Sequence, residues 1–473
     1  MKSPILGQAY TARSLNAAAN RLVNLYAEQV VDGGKEAAYF TRAPGRRLVK
    51  SIGNGPIRGL WAFGGKGYAV SGDKLYEIGV DWSLSNKGSV SGGDPVSMDD
   101  NGYQLFISAN PDGYIYNQLT GAYAQILDAD FPGSDMVTYI GGYFVYNEPG
   151  TQRFFVSSVL DGTGVDALDY ASSEAYSDDI VAPIASHKEL WMLGAVSTEI
   201  FYQSDTTDFP FQPIQAAFIE IGCAAKHSAK LLDNSVFWLG RDRRGFGIVY
   251  RSQGYNAVRI STHAIEFEIQ SYHRIDDARA FTYQQDGHAF YVLNFPTAKK
   301  TWVYDVATQW WHERLGFYLG QDANHPATCF MNFNGELIVG DDDGNLCAYD
   351  LDYFTDNGAT IRWVRSWRGI PTGQNNLKRT IWSSLQLDCE TGVGLNGENA
   401  PNIALRVSDD GGHTWGNEHV WPMGKIGEFF TRVVWRRLGI TLKRRDRVFE
   451  ISGTDPVKVA ILGAEVEVSG GAH

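Results

Sequence analysis

Residues 408–415 read SDDGGHTW, and their spacing has two uses. Ser408 and Asp410 can bond the amides of a tight turn, Gly412 can take a positive φ and Trp415 can pack beneath it; otherwise the eight residues belong to a catalytic site. A second acidic run, GDDDGN at 340–345, puts Asp341, Asp343 and Asn345 at alternate positions as a calcium loop does. An EF-hand loop requires glycine at its sixth position, where Leu346 stands, and a helix on each side, so a solvated hairpin turn is expected. The histidines show no H-E-x-x-H pattern, and His187, His227, His263 and His288 lie singly in strand-rich contexts. Cys223, Cys329, Cys347 and Cys389 form no C-x-x-C pair, and neither G-x-S-x-G nor a phosphate loop ending in G-K-[ST] occurs. The expectation is a chain with no metal, no cofactor and buried free thiols.

The remaining cluster is basic. In RVVWRRLGITLKRRDRVFE (432–450), Arg432, Arg436, Arg437, Lys443, Arg444, Arg445 and Arg447 face a single Asp446. That run reads either as a solvated strand edge or as an electrostatic contact with an acidic neighbour or with DNA phosphate. The SDDGGHTW stretch itself resembles the Asp-box turn of sialidases and other glycan-processing propellers. Their chemistry needs arginines for the substrate carboxylate, a tyrosine nucleophile paired with a glutamate, and an aspartic acid for proton transfer. In those enzymes the turn recurs on several blades far from the catalytic residues, whereas here it occurs once. The expectation is a structural turn, with a propeller-based glycan hydrolase as the alternative.

Such residues must be carried by strands. Aromatic residues make up 13% of the chain and charged ones 20%, with 52 glycines in 473 residues, a mixture suited to many strands joined by tight turns. One unit recurs: a short aromatic and β-branched run, a Gly or Asp-Gly turn, then a second run. It begins at residues 67, 103, 142, 189, 235, 288 and 336, spaced by 36, 39, 47, 46, 53 and 48 positions, the period of a propeller blade. Within the hairpins both faces are apolar, Leu105 and Ile107 against Phe106, and Leu337 and Val339 against Ile338, so each pair is sandwiched on both sides. YDVATQWW (304–311) fits the kelch-blade turn: Asp305 and Thr308 hold the backbone while Tyr304 and Trp311 pack. The fold expected is all-β: a propeller of six or seven blades over 56–370, then a β-sandwich over 371–473 of longer, more polar alternating strands, with GIPTGQNN as the joint. Residues 1–55 are expected to dock on the propeller, and long interblade loops such as 159–186 to reach neighbours. SLNAAANRLVNLYAEQV is ambiguous: Leu15, Ala18, Ala19, Leu22 and Val23 share a helical face and propensity alone favours helix, while RLVNLYAE also reads as an extended segment.

Charge narrows the partners. With 54 acidic and 41 basic side chains the formal charge is −13, so the average surface repels nucleic acid; this argues against a sequence-specific DNA binder but suits a wall along which DNA slides. The N-terminus lacks the apolar core of a secretory signal, and no run of 18 apolar residues occurs, so a soluble chain is expected.

Long, uncommon stretches carry a further resemblance. The block DFPFQPIQAAFIEIGCAAKHSAKLLDNSVFWLGRDRRGFGIVYRSQGYNAVRISTHAIEFEIQSY (208–272), NRLVNLYAEQV with TRAPGRRLV (41–49), and WRRLGITLKRRDRVFEISGTDPVKVAILGAEVEV resemble the packaged-DNA stabilisation proteins of P22-like, short-tailed bacteriophages. Ala27 departs from the pattern where proline is expected, which touches a local turn. The resemblance implies an extended NRLVNLYAE. It also implies a virion component made in the host cytoplasm, a tail hub or nozzle without catalytic activity. This would form a hexameric ring below the portal and its adaptor, near the tail needle and tailspike or tail fibres, closing the head and passing double-stranded DNA without sequence-specific contact or membrane insertion. Six copies would carry a formal charge of 6 × −13 = −78, an acidic conduit repelling DNA at close range.

Overall fold

Glycine-bearing turns set the repeat. Asp286 and Gly287 (φ 46° and 81°), or Asn334 and Gly335 (φ 55° and 75°), occupy the left-handed region that a two-residue hairpin turn requires. In the computed structural model, which describes residues 1–174, 176–204, 209–370, 379–394, 399–441 and 447–470, the seven recurring units are the second and third strands of seven successive blades. Innermost strands are Ile57–Phe63, Ser97–Asp100, Val137–Ile140, Ile180–Ser186, Lys230–Leu232, Arg279–Gln285 and Cys329–Phe333. Among the described residues this makes a seven-bladed propeller, and contact between Cys329–Phe333 and Ile57–Phe63 closes the circle.

Both faces of each central strand are buried between blades. Leu105 and Ile107 pack with Tyr68, Val70 and Leu75 of the first blade, while Phe106 packs with Phe144 and Tyr146 of the third. Full burial of each such side chain stabilises by about 1.5–3 kcal/mol. The last blade takes its outer strand, Gly45–Ser51, from the N-terminal region; it pairs antiparallel with Asn345–Asp350. Arg46 fixes this strand, bonding Asp356 at 2.5 Å and Asp341 at 3.2 Å. Gly45 has no room for a side chain, since a Cβ there would lie 1.8 Å from the Tyr353 carbonyl oxygen.

The N-terminal segment departs from the expected docking role. Residues 45–51 complete a blade, but Leu25–Gln29 and Ala38–Arg42 extend a sheet of the C-terminal sandwich, ordered Val433–Ile440, Thr380–Cys389, Ala460–Gly470, Ala38–Arg42, Leu25–Gln29, with Lys2–Ser3 also on Ala460–Gly470. Trp363–Arg368, expected to end the propeller, pairs instead with Val448–Gly453 in the facing sheet. The span 159–186 is not one long loop either: Tyr170–Ser172 is the outer strand of the third blade and Ile180–Ser186 the inner strand of the fourth. Most of the GIPTGQNN joint lies outside the described residues.

Asn24 explains why helical propensity loses at the N-terminus. It takes a positive φ of 52°, and its side chain accepts from Leu315 N at 3.1 Å and donates to the Leu315 and Arg362 carbonyls at 2.8 and 2.7 Å. Leu22–Val23 then bridges the domains, running parallel to the outer strand of the sixth blade at Glu313 and antiparallel to Val364 and Arg365. Propeller and sandwich therefore share one nine-stranded sheet and one core, in which Tyr291, Tyr304 and Trp311 of the sixth blade join Leu25, Phe40, Trp363, Trp382 and Ile451.

Candidate assembly surface

The Asp-box stretch is a turn at the end of Asn402–Ser408. Asp410 accepts from His413 N and Thr414 N, both at 2.9 Å, from Ser408 Oγ at 2.7 Å and from Thr414 Oγ1 at 2.6 Å. These donors hold its carboxyl far below the usual carboxylate range. Gly412, at φ 99°, donates its amide to Ser408 Oγ at 2.8 Å, and Arg406 lies over the Trp415 ring at 4.9 Å. Asp410 is thus occupied by its own loop.

Asp409 has a different task. Its two oxygens take Arg447 Nε at 2.7 Å and Nη2 at 2.8 Å, while the same guanidinium donates to the Leu438 carbonyl and lies over the Trp382 ring at 5.6 Å. Arg447 is buried. Its expected role as a contact to a neighbouring subunit is corrected: its donors are bound within the sandwich, where the bidentate pair ties the turn to the sheet.

The remaining basic residues separate. Lys443, Arg444 and Arg445 lie outside the described residues. Arg432, Arg436 and Arg437 are exposed on or beside Val433–Ile440, the edge strand of its sheet. Arg432 reaches Gln386 Oε1 at 2.5 Å. A bulge between the pairs Trp382–Gly439 and Ser384–Arg436 puts Arg437 at φ 58° and brings Arg436 and Arg437 both to solvent. Charge and a bulge also keep an edge strand from pairing indiscriminately.

Beside this edge lies a feature the charge pattern gave no hint of. The loop 423–431 exposes Ile426, Phe429 and Phe430, the last 97% exposed, and the adjoining strand His419–Pro422 exposes Val420. The loop is internally braced: Glu428 Oε2 accepts from Lys425 N at 2.7 Å, Thr391 Oγ1 donates to the Phe429 carbonyl at 3.1 Å, and Trp421 Nε1 donates to the Arg432 carbonyl at 2.9 Å. A braced loop that holds aromatic rings in water beside exposed arginines has the composition of an interface core with a charged rim. The readable signal was GEFF itself, two aromatics after a glycine inside a polar stretch.

The other sequence candidates are structural. In the kelch-type turn Asp305 Oδ2 takes Thr308 Oγ1 at 2.7 Å and His288 Nδ1 at 2.9 Å, and Ala307 N reaches Asp305 Oδ1 at 3.0 Å. Trp311 packs on Tyr304 at 5.2 Å and donates to the Ile260 carbonyl at 2.9 Å. Asp341, in the acidic run, accepts from Asp343 N and Asn345 N at 3.1 and 2.8 Å and pairs with Arg46. Among the described residues no group of three or more His, Cys, Asp or Glu is placed to hold a metal ion, and no helix is long and apolar enough to cross a membrane.

Residues 1–353 match the family model described as "Bacteriophage P22 Gp10, beta-propeller", and residues 368–469 match "Bacteriophage P22 Gp10, beta-sandwich". The chain belongs to the bacteriophage P22 Gp10 family. Residues 354–367 lie between the two Gp10 matches, which support a phage structural protein of the tail-hub and DNA-stabilisation type. No match to a curated protein was found. Among solved structures, the chain is similar to the computationally designed Ika8 protein (14% identity, covering 64% of this chain and 100% of that one, TM-score 0.39). It is also similar to the N-terminal domain of Nup159 (10% identity, 68% and 98%, TM-score 0.41). A third is PorZ, a surface component of the type-IX secretion system of Porphyromonas gingivalis (14% identity, 79% and 46%, TM-score 0.39). Likenesses this distant carry no argument about function.

Proposed function

We propose that this Gp10-family protein is a tail hub or nozzle subunit: six copies form a ring below the portal and its adaptor, retain packaged DNA in the head and wall part of the ejection conduit. The observation that carries the reading is the family match over both domains. Three physical features support it. Propeller and sandwich share a core and a sheet, which suits a wall block that must not flex under load. The formal charge of −13 disfavours DNA adhesion. The edge at Val420, Ile426, Phe429, Phe430, Arg436 and Arg437 offers a heterologous contact to the next subunit or the adaptor, the kind that closes a ring. The portal-adaptor, the tail needle and the tailspikes or fibres are the partners in this reading, and the protein is a virion component with no reaction to catalyse.

Electron microscopy of the purified protein mixed with portal–adaptor complexes tests it: a sixfold ring below the adaptor is expected, and free monomers beside bare adaptors would overturn it. Replacing Arg436, Arg437, Arg444 and Arg445 together with Ser, or Phe429 and Phe430 with Ser, should block assembly and leave heads that leak DNA. Full infectivity of both variants would remove this edge from the assembly.

A further inference from the structure

The propeller axis holds a cavity of about 420 Å³ to which six of the seven blades contribute, within the range of small-molecule pockets. Its wall is unusual for so acidic a chain. Arg58, Lys230, Arg279 and His227 line it, with the aromatic faces of Phe281 and Phe330, and no aspartate or glutamate does so among the described residues.

The cations differ in how they are satisfied. Arg58 donates to the carbonyls of Asp94, Gly72, Val90 and Ser91 at 2.6, 2.9, 3.4 and 2.7 Å, so it is part of the first blade's framework. Among the described residues the Lys230 and Arg279 side chains have no hydrogen-bond or ion-pair partner, and His227 Nε2 is buried without one. Lys226, Lys230 and Arg279 stand close enough to His227 to join burial in holding it neutral, which leaves its ring free to donate one hydrogen bond. The acids nearest these cations are engaged or set back. Asp99 is bound by Tyr139 N, Asp100 N and Thr138 Oγ1 at 2.7, 2.8 and 3.3 Å, and Asp342 feels Arg279 without forming an ion pair with it. Lys226 is already paired with Asp135.

Two half-buried cations without a partner among the described residues and an orphaned ring nitrogen at one cavity make a poor structural element, because charge taken from water destabilises a fold unless it is compensated. They make a good receptor for an oxyanion, which Lys and Arg bind through charge-assisted hydrogen bonds. We propose that the propeller axis is a binding site for a small multivalent phosphate-class oxyanion, held by Lys230, Arg279 and His227. The cavity is far too small for duplex DNA, so the ligand is a small molecule, and the site is separate from the assembly edge on the sandwich.

Pyrophosphate is the probe. Calorimetric titration of the full chain at constant ionic strength should give one saturable site per chain. The double variant Lys230→Gln/Arg279→Gln should bind at least tenfold more weakly, and Arg244→Gln, a change at an exposed surface position, should bind as the unaltered chain does. Without pyrophosphate the double variant should melt no lower than the parent, because it loses uncompensated charge. Absence of saturable binding, undiminished binding by the double variant, or an equal loss in Arg244→Gln would overturn the proposal. So would a marked fall in the anion-free melting temperature, which would make the two cations structural.

Discussion

The propeller and the sandwich are both built mainly from antiparallel strands, but by opposite rules. Among the described residues six blades are each made of strands consecutive in the chain, and only the seventh borrows one, Gly45–Ser51. The sandwich joins Lys2–Ser3, Leu25–Gln29 and Ala38–Arg42 to strands beyond residue 360, so residues that pair there stand more than 400 positions apart, as Phe40 and Ile461 do. Local closure gives the propeller redundancy. Distant closure makes the sandwich dependent on both ends of the chain, and ordering so long a separation is entropically costly until the whole sheet forms.

The largest test of that contrast is to remove residues 1–42 while keeping Gly45–Ser51. The sandwich should lose three strands of one sheet, Leu22–Val23 of the other, and the core side chains Leu25 and Phe40, and it should fail to fold. The seven blades keep every strand. Limited proteolysis should then yield a resistant fragment ending before Trp363, with loss of near-ultraviolet signal from Trp363, Trp367, Trp382 and Trp435. A sandwich that stays protease-resistant would show that its N-terminal strands are an accessory.

A smaller break uses one side chain. Phe40 is fully buried, and Arg365 lies over its ring at 5.1 Å. Arg365 is itself buried with no carboxylate partner among the described residues; it donates to the Ile5 carbonyl at 2.7 Å, and burial lowers its pKa to about 9. Phe40→Ala should destabilise by about 3–5 kcal/mol. Because the core runs on into the sixth blade, the denaturation midpoint of the whole chain should fall, whereas Phe106→Ala, in a cluster of the second and third blades, should leave the sandwich signal unmoved.

These contrasts also mark what the sequence could tell. The seven hairpins were legible because each is local and apolar on both faces, so periodicity and turn residues carry the information. The outer strand Gly45–Ser51 and the strands Leu25–Gln29 and Ala38–Arg42 were not, because nothing near residue 40 indicates that its partner is at 461. The helical reading of residues 14–30 failed on Asn24, whose left-handed backbone and three side-chain bonds are tertiary. In the candidate site, the turn chemistry of Ser408, Asp410 and Gly412 was legible, being local. The fate of the arginines was not: strand alternation assigns faces only while the register is regular, and the bulge at Arg437 breaks it, while Arg447 leads into Val448–Gly453 of the other sheet, so the run did not separate buried Arg447 from exposed Arg436.

The Arg447 pair offers the next test. Asp409→Ala leaves a guanidinium buried beneath Trp382 without its counter-charge, whereas Arg447→Met removes the charge and keeps most of the packing. The first should destabilise by about 2 kcal/mol, below the 3–5 kcal/mol of a fully enclosed pair because Asp409 is 29% exposed. The second should cost less, as measured by urea midpoints. A larger loss for Arg447→Met would show that Arg447 acts through its bonds to the sheet instead.

The smallest expected effect belongs to the propeller and is a function of pH. The His288 ring shares a hydrogen bond with Asp305 in the kelch-type turn, and this bond raises its pKa above the ordinary value despite opposing desolvation. A histidine whose folded pKa is raised stabilises the fold in its protonated form. That contribution is complete below its unfolded pKa of about 6.5 and disappears as pH rises through the folded value. The melting temperature should therefore fall slightly between mildly acidic and mildly alkaline buffer, and the fall should be smaller in His288→Gln. Because Thr308 Oγ1 and Ala307 N still hold Asp305 in that variant, the turn should survive. An unchanged pH slope would place the titrating group elsewhere and leave the sixth blade insensitive to protonation in this range.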